Sequence, residues 1–161
     1  APEGNMLVTQ GNLAVTYAML GRREQALCVR RDVYSGTLKL HGEEHYDTLR
    51  EACNYATTLV TLERFEEAKS LMREMLPVAR RVLGESDDLM FRLKWNYATA
   101  LSVDMNATLD DLREAITTFE DIARTARRVL GAAHPLTTGI SEQLQNARVC
   151  LRARETPSGE A

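Results

Sequence analysis

The sequence predicts an all-α solenoid, and three observations carry that expectation. The chain repeats itself: Asn12-Leu13-Ala14, Asn54-Tyr55-Ala56 and Asn96-Tyr97-Ala98 stand 42 residues apart, within the range of periods that marks stacked helix pairs. Composition favours helix, because 4 Pro and 9 Gly are scattered among abundant Ala, Leu, Arg and Glu and no strand-like alternation of Val, Ile and Thr appears. Glycines then punctuate the pattern at Gly21, Gly42, Gly84 and Gly131, where a helix terminus needs a residue that tolerates positive φ.

The elements follow in order. An offset of 42 also carries Ala26 to Ala68, Gly42 to Gly84 and the Arg22–Ala26 stretch to Arg64–Ala68. After Asn96 the offset grows to 47, taking Ala68 to Ala115 and Gly84 to Gly131, so five residues are inserted, most naturally Asp104–Thr108. Helices are expected at 5–20, 22–41, 44–62, 64–83, 87–104, 109–130 and 135–154. The third shows Leu49, Ala52, Ala56 and Leu59 on one face, and the fourth Ala68, Met72, Met75 and Ala79. Within the fourth, Pro77 removes a backbone donor and crowds the carbonyl of Arg73, so a bend is expected there. Gly36 should weaken the second helix by roughly 1 kcal/mol relative to Ala. Thr108 opens the sixth helix as N-cap, with Asp110 and Asp111 in its first turn complementing the orphan N–H groups. His134-Pro135 opens the seventh, since Pro suits the first helical position. Arg148, Arg152, Arg154 and Glu155 among Leu144, Ala147 and Leu151 mark this last helix as a cap, followed by a disordered tail at 156–161. One domain, residues 1–155, thus holds repeats at about 5–42, 43–84 and 85–131 and the capping helix.

Several function classes are excluded at this level. Twenty basic against 23 acidic side chains give a net charge of −3, which removes the sequence-independent attraction that nucleic-acid and acidic-membrane binders use. No nucleic-acid partner is expected. Apolar runs extend only a few residues, far from the roughly 18 needed to span a bilayer, so no membrane partner is expected either. Cys28, Cys53 and Cys150 are odd in number and lack CxxC spacing, which reads as free thiols in the cytoplasm. Ala1-Pro2-Glu3 carries no Met and no signal pattern, as in a fragment or processed product.

No cluster suggests catalysis, and neither enzyme activity nor a cofactor is expected. His41 and His45 are four apart but straddle Gly42 and lack a third ligand, whereas a closed metal site needs four. Cys53, near Arg50, reads as a small, half-buried thiol rather than a reactive one. No Gly-rich phosphate loop is present.

Leu13, Ala14, Tyr17, Gly21 and Ala26 resemble the tetratricopeptide repeat. The 42-residue period, the Asn before each Leu-Ala or Tyr-Ala pair, and Leu130-Gly131-Ala132-Ala133-His134-Pro135 resemble the long repeats of kinesin light chain, over nearly all of residues 5–154. Three departures stand out: Arg30 at a usually apolar site, Glu63 in place of the turn Gly, and Asp87-Asp88 in place of His-Pro. The resemblance implies a right-handed superhelix of antiparallel helix pairs, about three repeats plus a capping helix, whose first helices line a concave groove. It implies a protein–protein interaction scaffold.

Arg50, Asn54, Thr57 and Thr61 share one helix face, and the repeat register adds Arg92, Asn96, Thr99 and Val103, then Val8, Asn12, Val15 and Met19. By the resemblance this row is the groove floor. The candidate peptide-binding residues are Asn12, Arg50, Asn54, Thr57, Arg92, Trp95, Asn96 and Thr99. Asn can satisfy the backbone of an extended peptide and the Arg fork suits carboxylate, so the expected ligand is an acidic extended segment. The row reads equally as a solvated face, and Trp95 as either a groove anchor or a packing residue between helices. The alternative function is architectural: one stretch of a longer solenoid supporting a neighbouring domain. Peptide binding requires Arg50 and Arg92 exposed and electropositive, whereas an architectural role consumes them in internal ion pairs. Leu7 and Val8 should leave an apolar face on the first helix, so self-association or further repeats are expected at the N-terminal end.

Overall fold

In a computed structural model that describes residues 2–156, the chain forms seven α-helices, with no strand among the described residues. They are α1 (Pro2–Met19), α2 (Arg23–His41), α3 (Tyr46–Thr61), α4 (Phe65–Leu83), α5 (Asp88–Val103), α6 (Leu109–Leu130) and α7 (Pro135–Glu155). Each falls where the repeat pattern places it. The helices make two compact units, one ending at Leu93 and the other starting at Lys94, within α5.

Unit one packs α1, α2, α3 and α4 in succession. Its core is Ala14 of α1, Leu27 and Val33 of α2, Leu49, Ala52, Ala56 and Leu59 of α3, and Met72, Met75 and Ala79 of α4. All the expected apolar positions of α3 and α4 are therefore buried, each large side chain contributing roughly 1.5–3 kcal/mol. Cys53 is buried among them, while Cys28 and Cys150 are exposed. Unit two packs Ala98 and Leu101 of α5, Leu112, Phe119 and Ile122 of α6, and Ile140 and Ala147 of α7. Antiparallel α6 and α7 are clamped by Glu120–Arg148 at 2.6 Å and Arg113–Glu155 at 2.8 Å.

The five-residue insertion is the α5–α6 connection. Asp104 Oδ1 accepts from the Asn106 N–H at 2.8 Å, Ala107 is buried, and Arg154 of α7 donates to the carbonyls of Met105, at 3.1 Å, and Ala107. Thr108 and Asp111 then form a reciprocal capping box at 3.0 and 2.9 Å. The Asp87 departure is also explained. His45 Nδ1 accepts from the Asp47 N–H and His134 Nδ1 from the Leu136 N–H, both at 3.2 Å, and Asp87 Oδ1 accepts from the Leu89 N–H at 2.8 Å. The helices α3, α5 and α7 thus cap the same position with an acceptor two residues before the donor.

Pro77 does not divide α4, which continues as one helix to Leu83. The proline is exposed, so its missing N–H lies on the side where water reaches the backbone. Thr156 closes α7, its N–H bonding the Arg152 carbonyl at 3.0 Å. The expected tail lies, from residue 157, outside the described residues, and so does the Val8 side chain.

Gly36 faces α1, and a Cβ there would stand 2.8 Å from Leu7 Cδ2, the end of a flexible side chain that can turn aside. The gain of roughly 1 kcal/mol in propensity is therefore reduced only by the cost of moving Leu7. Gly36→Ala is expected to raise Tm by up to about 2–4 °C, and a lowered Tm in a thermal melt would contradict this.

Glu63 adopts φ 59°, matching the φ of 72° at Gly21, its counterpart one repeat earlier. A side chain in this left-handed region costs roughly 1–2 kcal/mol, part of which glycine returns as unfolded-state entropy. Glu63→Gly should therefore stabilise by about 1 kcal/mol and raise Tm by about 2–4 °C, as a melt would record. An unchanged or lowered Tm would remove the strain from the account.

Candidate functional site

Unit one contains an open cleft of about 600 Å³ between α1, α2 and α3. It brings together three of the sequence-expected residues, Asn12, Arg50 and Asn54, with Val15 beside Asn12 and Arg30 opposite. Asn12 sits one helical turn from Val15, so α1 presents an amide and an aliphatic side chain to the same space. Asn12 is exposed and Asn54 half-buried.

The electrostatic centre of the cleft is Glu51, which sequence reasoning missed. This carboxylate is buried, and three donors converge on it: Arg30 Nη1 at 3.6 Å, Arg50 Nε at 3.2 Å and Asn54 Nδ2 at 3.3 Å. Arg50 also reaches Asp47 at 2.7 Å with Nη1. Two guanidinium groups thus face two carboxylates, Asp47 and Glu51. The departure of Arg30 from the family pattern is explained by the same contact, and Gly11 lies alongside, where a Cβ would make an ordinary contact with Arg30 Nη1 at 3.7 Å. The signal was present as an unusual Arg in α2, but nothing in linear spacing says that Glu51 is its partner.

The other expected residues have different surroundings. Thr57 is exposed and donates to the Cys53 carbonyl at 2.9 Å. Arg92 is exposed, with no ion pair among the described residues. Asn96 is buried, and Thr99 is half-buried with an Oγ1 that finds no hydrogen-bond partner among the described residues. Trp95 meets Phe119 of α6 edge-on, centroids 6.3 Å apart, and a Cβ at Gly139 of α7 would stand 3.5 Å from its ring. Half-buried, it packs against α6 and α7 in unit two. The imidazoles of His41 and His45 stack at 4.4 Å, with His45 Nδ1 engaged in its cap. Among the described residues no three His, Cys, Asp or Glu side chains converge as a metal site would require.

Residues 52–88 match the tetratricopeptide repeat family. No curated protein matches the chain significantly. Among solved structures it is similar to a Podosopora anserina protein of the kinesin light chain type with nearly identical TPR-like repeats, at TM-score 0.80 and 18% identity over 99% of this chain and 80% of that one. A single-residue variant of that protein gives TM-score 0.74 and 18% identity over 92% and 68% of the two chains. BtubC (BKLC) from P. vanneervenii gives 0.69 and 18% over 99% and 70%. The fold is that of tetratricopeptide-type solenoids, and the resemblance carried by the Asn register and the Leu-Gly-x-x-His-Pro ending holds.

Proposed function

We propose that this repeat scaffold binds an extended protein segment in the cleft between α1, α2 and α3. The cleft is what carries the reading: about 600 Å³ in which the amides of Asn12 and Asn54 lie beside Val15 and a set of paired charges. Amides suit a peptide backbone, and aliphatic walls suit its side chains. A scaffold rather than an enzyme is the reading that tetratricopeptide-type repeats support.

The acidic character of the ligand is the finer part of the proposal. Arg50 already shares its charge with Asp47 and Glu51, so a ligand carboxylate would compete with Asp47, the more exposed of the two. Arg92, unpaired among the described residues, is open to such a ligand directly. The consumed charge on Arg50 favours the second reading, in which the segment is architectural within a longer solenoid.

A peptide-display selection on the domain, followed by titration of the selected peptide, separates the two. Asn54→Ala should weaken binding by roughly 1–3 kcal/mol through the lost amide contacts, and Arg92→Ala should weaken it in a salt-dependent way. Failure to enrich any peptide, or equal affinity in both variants, would move the assignment to the architectural role.

On α1 and the turn that follows it, Met6, Leu13 and Leu20 recur every seven residues and are 57%, 41% and 64% exposed. This stripe supports the proposal that the N-terminal face receives a further repeat or a second copy. No described helix is long and apolar enough to cross a membrane, and the cytoplasm remains the proposed compartment from the free thiols.

A further inference from the structure

Uncompensated positive charge gathers in unit two, away from the cleft just described. There α6 and α7 border an open cleft of about 560 Å³, with Ala123 and Leu144 among its lining. Arg124, Arg127 and Arg128 of α6 and Arg148 of α7 also line it. Its one carboxylate, Glu120, is held by Arg148 at 2.6 Å. Arg124, Arg127 and Arg128 are exposed and form no ion pair among the described residues. Four arginines less one glutamate leave a formal +3 here, on a chain whose net charge is −3.

Ordinary reasons cover only part of this. Arg127 and Arg128 lie in the last turn of α6, where cations complement the helix dipole. Arg124 lies further in and Arg148 lies well inside α7, so the dipole explains neither. Like charges at i, i+3 and i+4 repel and cost the helix a few tenths of a kcal/mol. A solvent-facing helix pair gains solubility from polar residues, but solubility does not require a single sign.

The repeat register indicates what fits. An offset of 89 relates Ala123, Arg127, Leu144 and Arg148 to Tyr34, Leu38, Tyr55 and Leu59 of unit one. There Tyr34 and Tyr55 stack at 6.0 Å, and the Tyr34 hydroxyl meets Met75 Sδ of α4 at 3.6 Å. Burial first, then the nearby Glu74 carboxylate, pushes the Tyr34 phenol up from its usual value, as expected under a covering helix. The unit-two cleft therefore corresponds to a place that a helix covers in unit one, with arginines where Leu38 and Leu59 stand.

We propose that the α6–α7 cleft binds an acidic amphipathic helix of a partner protein, lying on α6 and α7 as α4 lies on α2 and α3. Its carboxylates pair with Arg124, Arg127 and Arg128, and its apolar face lies along the aliphatic stems of these arginines, above Ala123 and Leu144, which are themselves buried at 4% and 9% exposure. Charge complementarity selects this occupant, and the unit-one cleft plays no part in it.

The test is fluorescence anisotropy with a labelled peptide of Leu and Glu at helical spacing, its scrambled sequence and its Lys-for-Glu counterpart. The first should bind, the Lys version should not, and Arg124→Glu/Arg127→Glu should weaken binding about tenfold or more, with a flatter salt dependence. Arg50→Ala should leave the affinity unchanged, which separates this site from the unit-one cleft. Equal affinity of the charge-reversed variant, or equal binding of the scrambled peptide, would overturn the proposal. Self-association of the wild type that this variant abolishes would overturn it in favour of a second copy. Should the reversed variant fail to fold, Arg124→Gln/Arg127→Gln carries the same comparison.

Discussion

Phe119→Ala is expected to destabilise the protein by about 3–5 kcal/mol. Phe119 is completely buried in α6, heads the fully buried side chains by volume, and receives the edge of Trp95. Truncation removes its transfer free energy and leaves a cavity that the helices cannot close without moving Trp95, which is itself held beside Gly139. Part of the cost is the lost aromatic pair, worth roughly 0.5–1.5 kcal/mol, so Phe119→Leu should cost distinctly less than Phe119→Ala. Urea unfolding of both variants measures this. A loss below 1 kcal/mol in Phe119→Ala would mean that Trp95 and Phe119 are not packed as described.

Glu51→Ala is expected to cost about 2–3 kcal/mol, somewhat below the figure for a fully buried ion pair because the cleft admits water. The carboxylate is the common partner of Arg30, Arg50 and Asn54, and its removal leaves the Arg30 guanidinium, whose side chain is 15% exposed, without its counter-charge. Arg30→Met together with Glu51→Leu should recover much of the loss, because an apolar pair replaces a desolvated ionic one. A double-mutant cycle in urea reads that coupling directly. Additive single-mutant effects would show that Arg30 and Glu51 do not act on each other.

The fold was legible because its determinants are local and periodic. The period of 42 residues, the glycines at positive φ and the Thr108 cap each act within a few residues of chain, so spacing alone placed seven helices and the Asp104–Thr108 connection. The site was legible only where a face could be read from one helix. Asn12, Arg50 and Asn54, which share a register position or neighbour it in the repeat, line one cleft. The ion-pair partners were not legible, because Glu51 is reached by Arg30 across two helices and by Arg50 from the neighbouring residue, and spacing encodes neither rotamer. The approach of Leu7 to Gly36 was not legible for the same reason: helix propensity is local, whereas that contact joins two helices. Trp95 was left between two roles, and its packing contact with Phe119 joins residues 24 positions apart.

The reading of the protein as a segment-binding scaffold is tested most directly by amide-resolved NMR titration with a peptide selected on the domain. The account predicts shift changes concentrated at Asn12, Val33 and Asn54 around the unit-one cleft, with saturation at one peptide per chain. Saturable binding that leaves those three amides unmoved would contradict it.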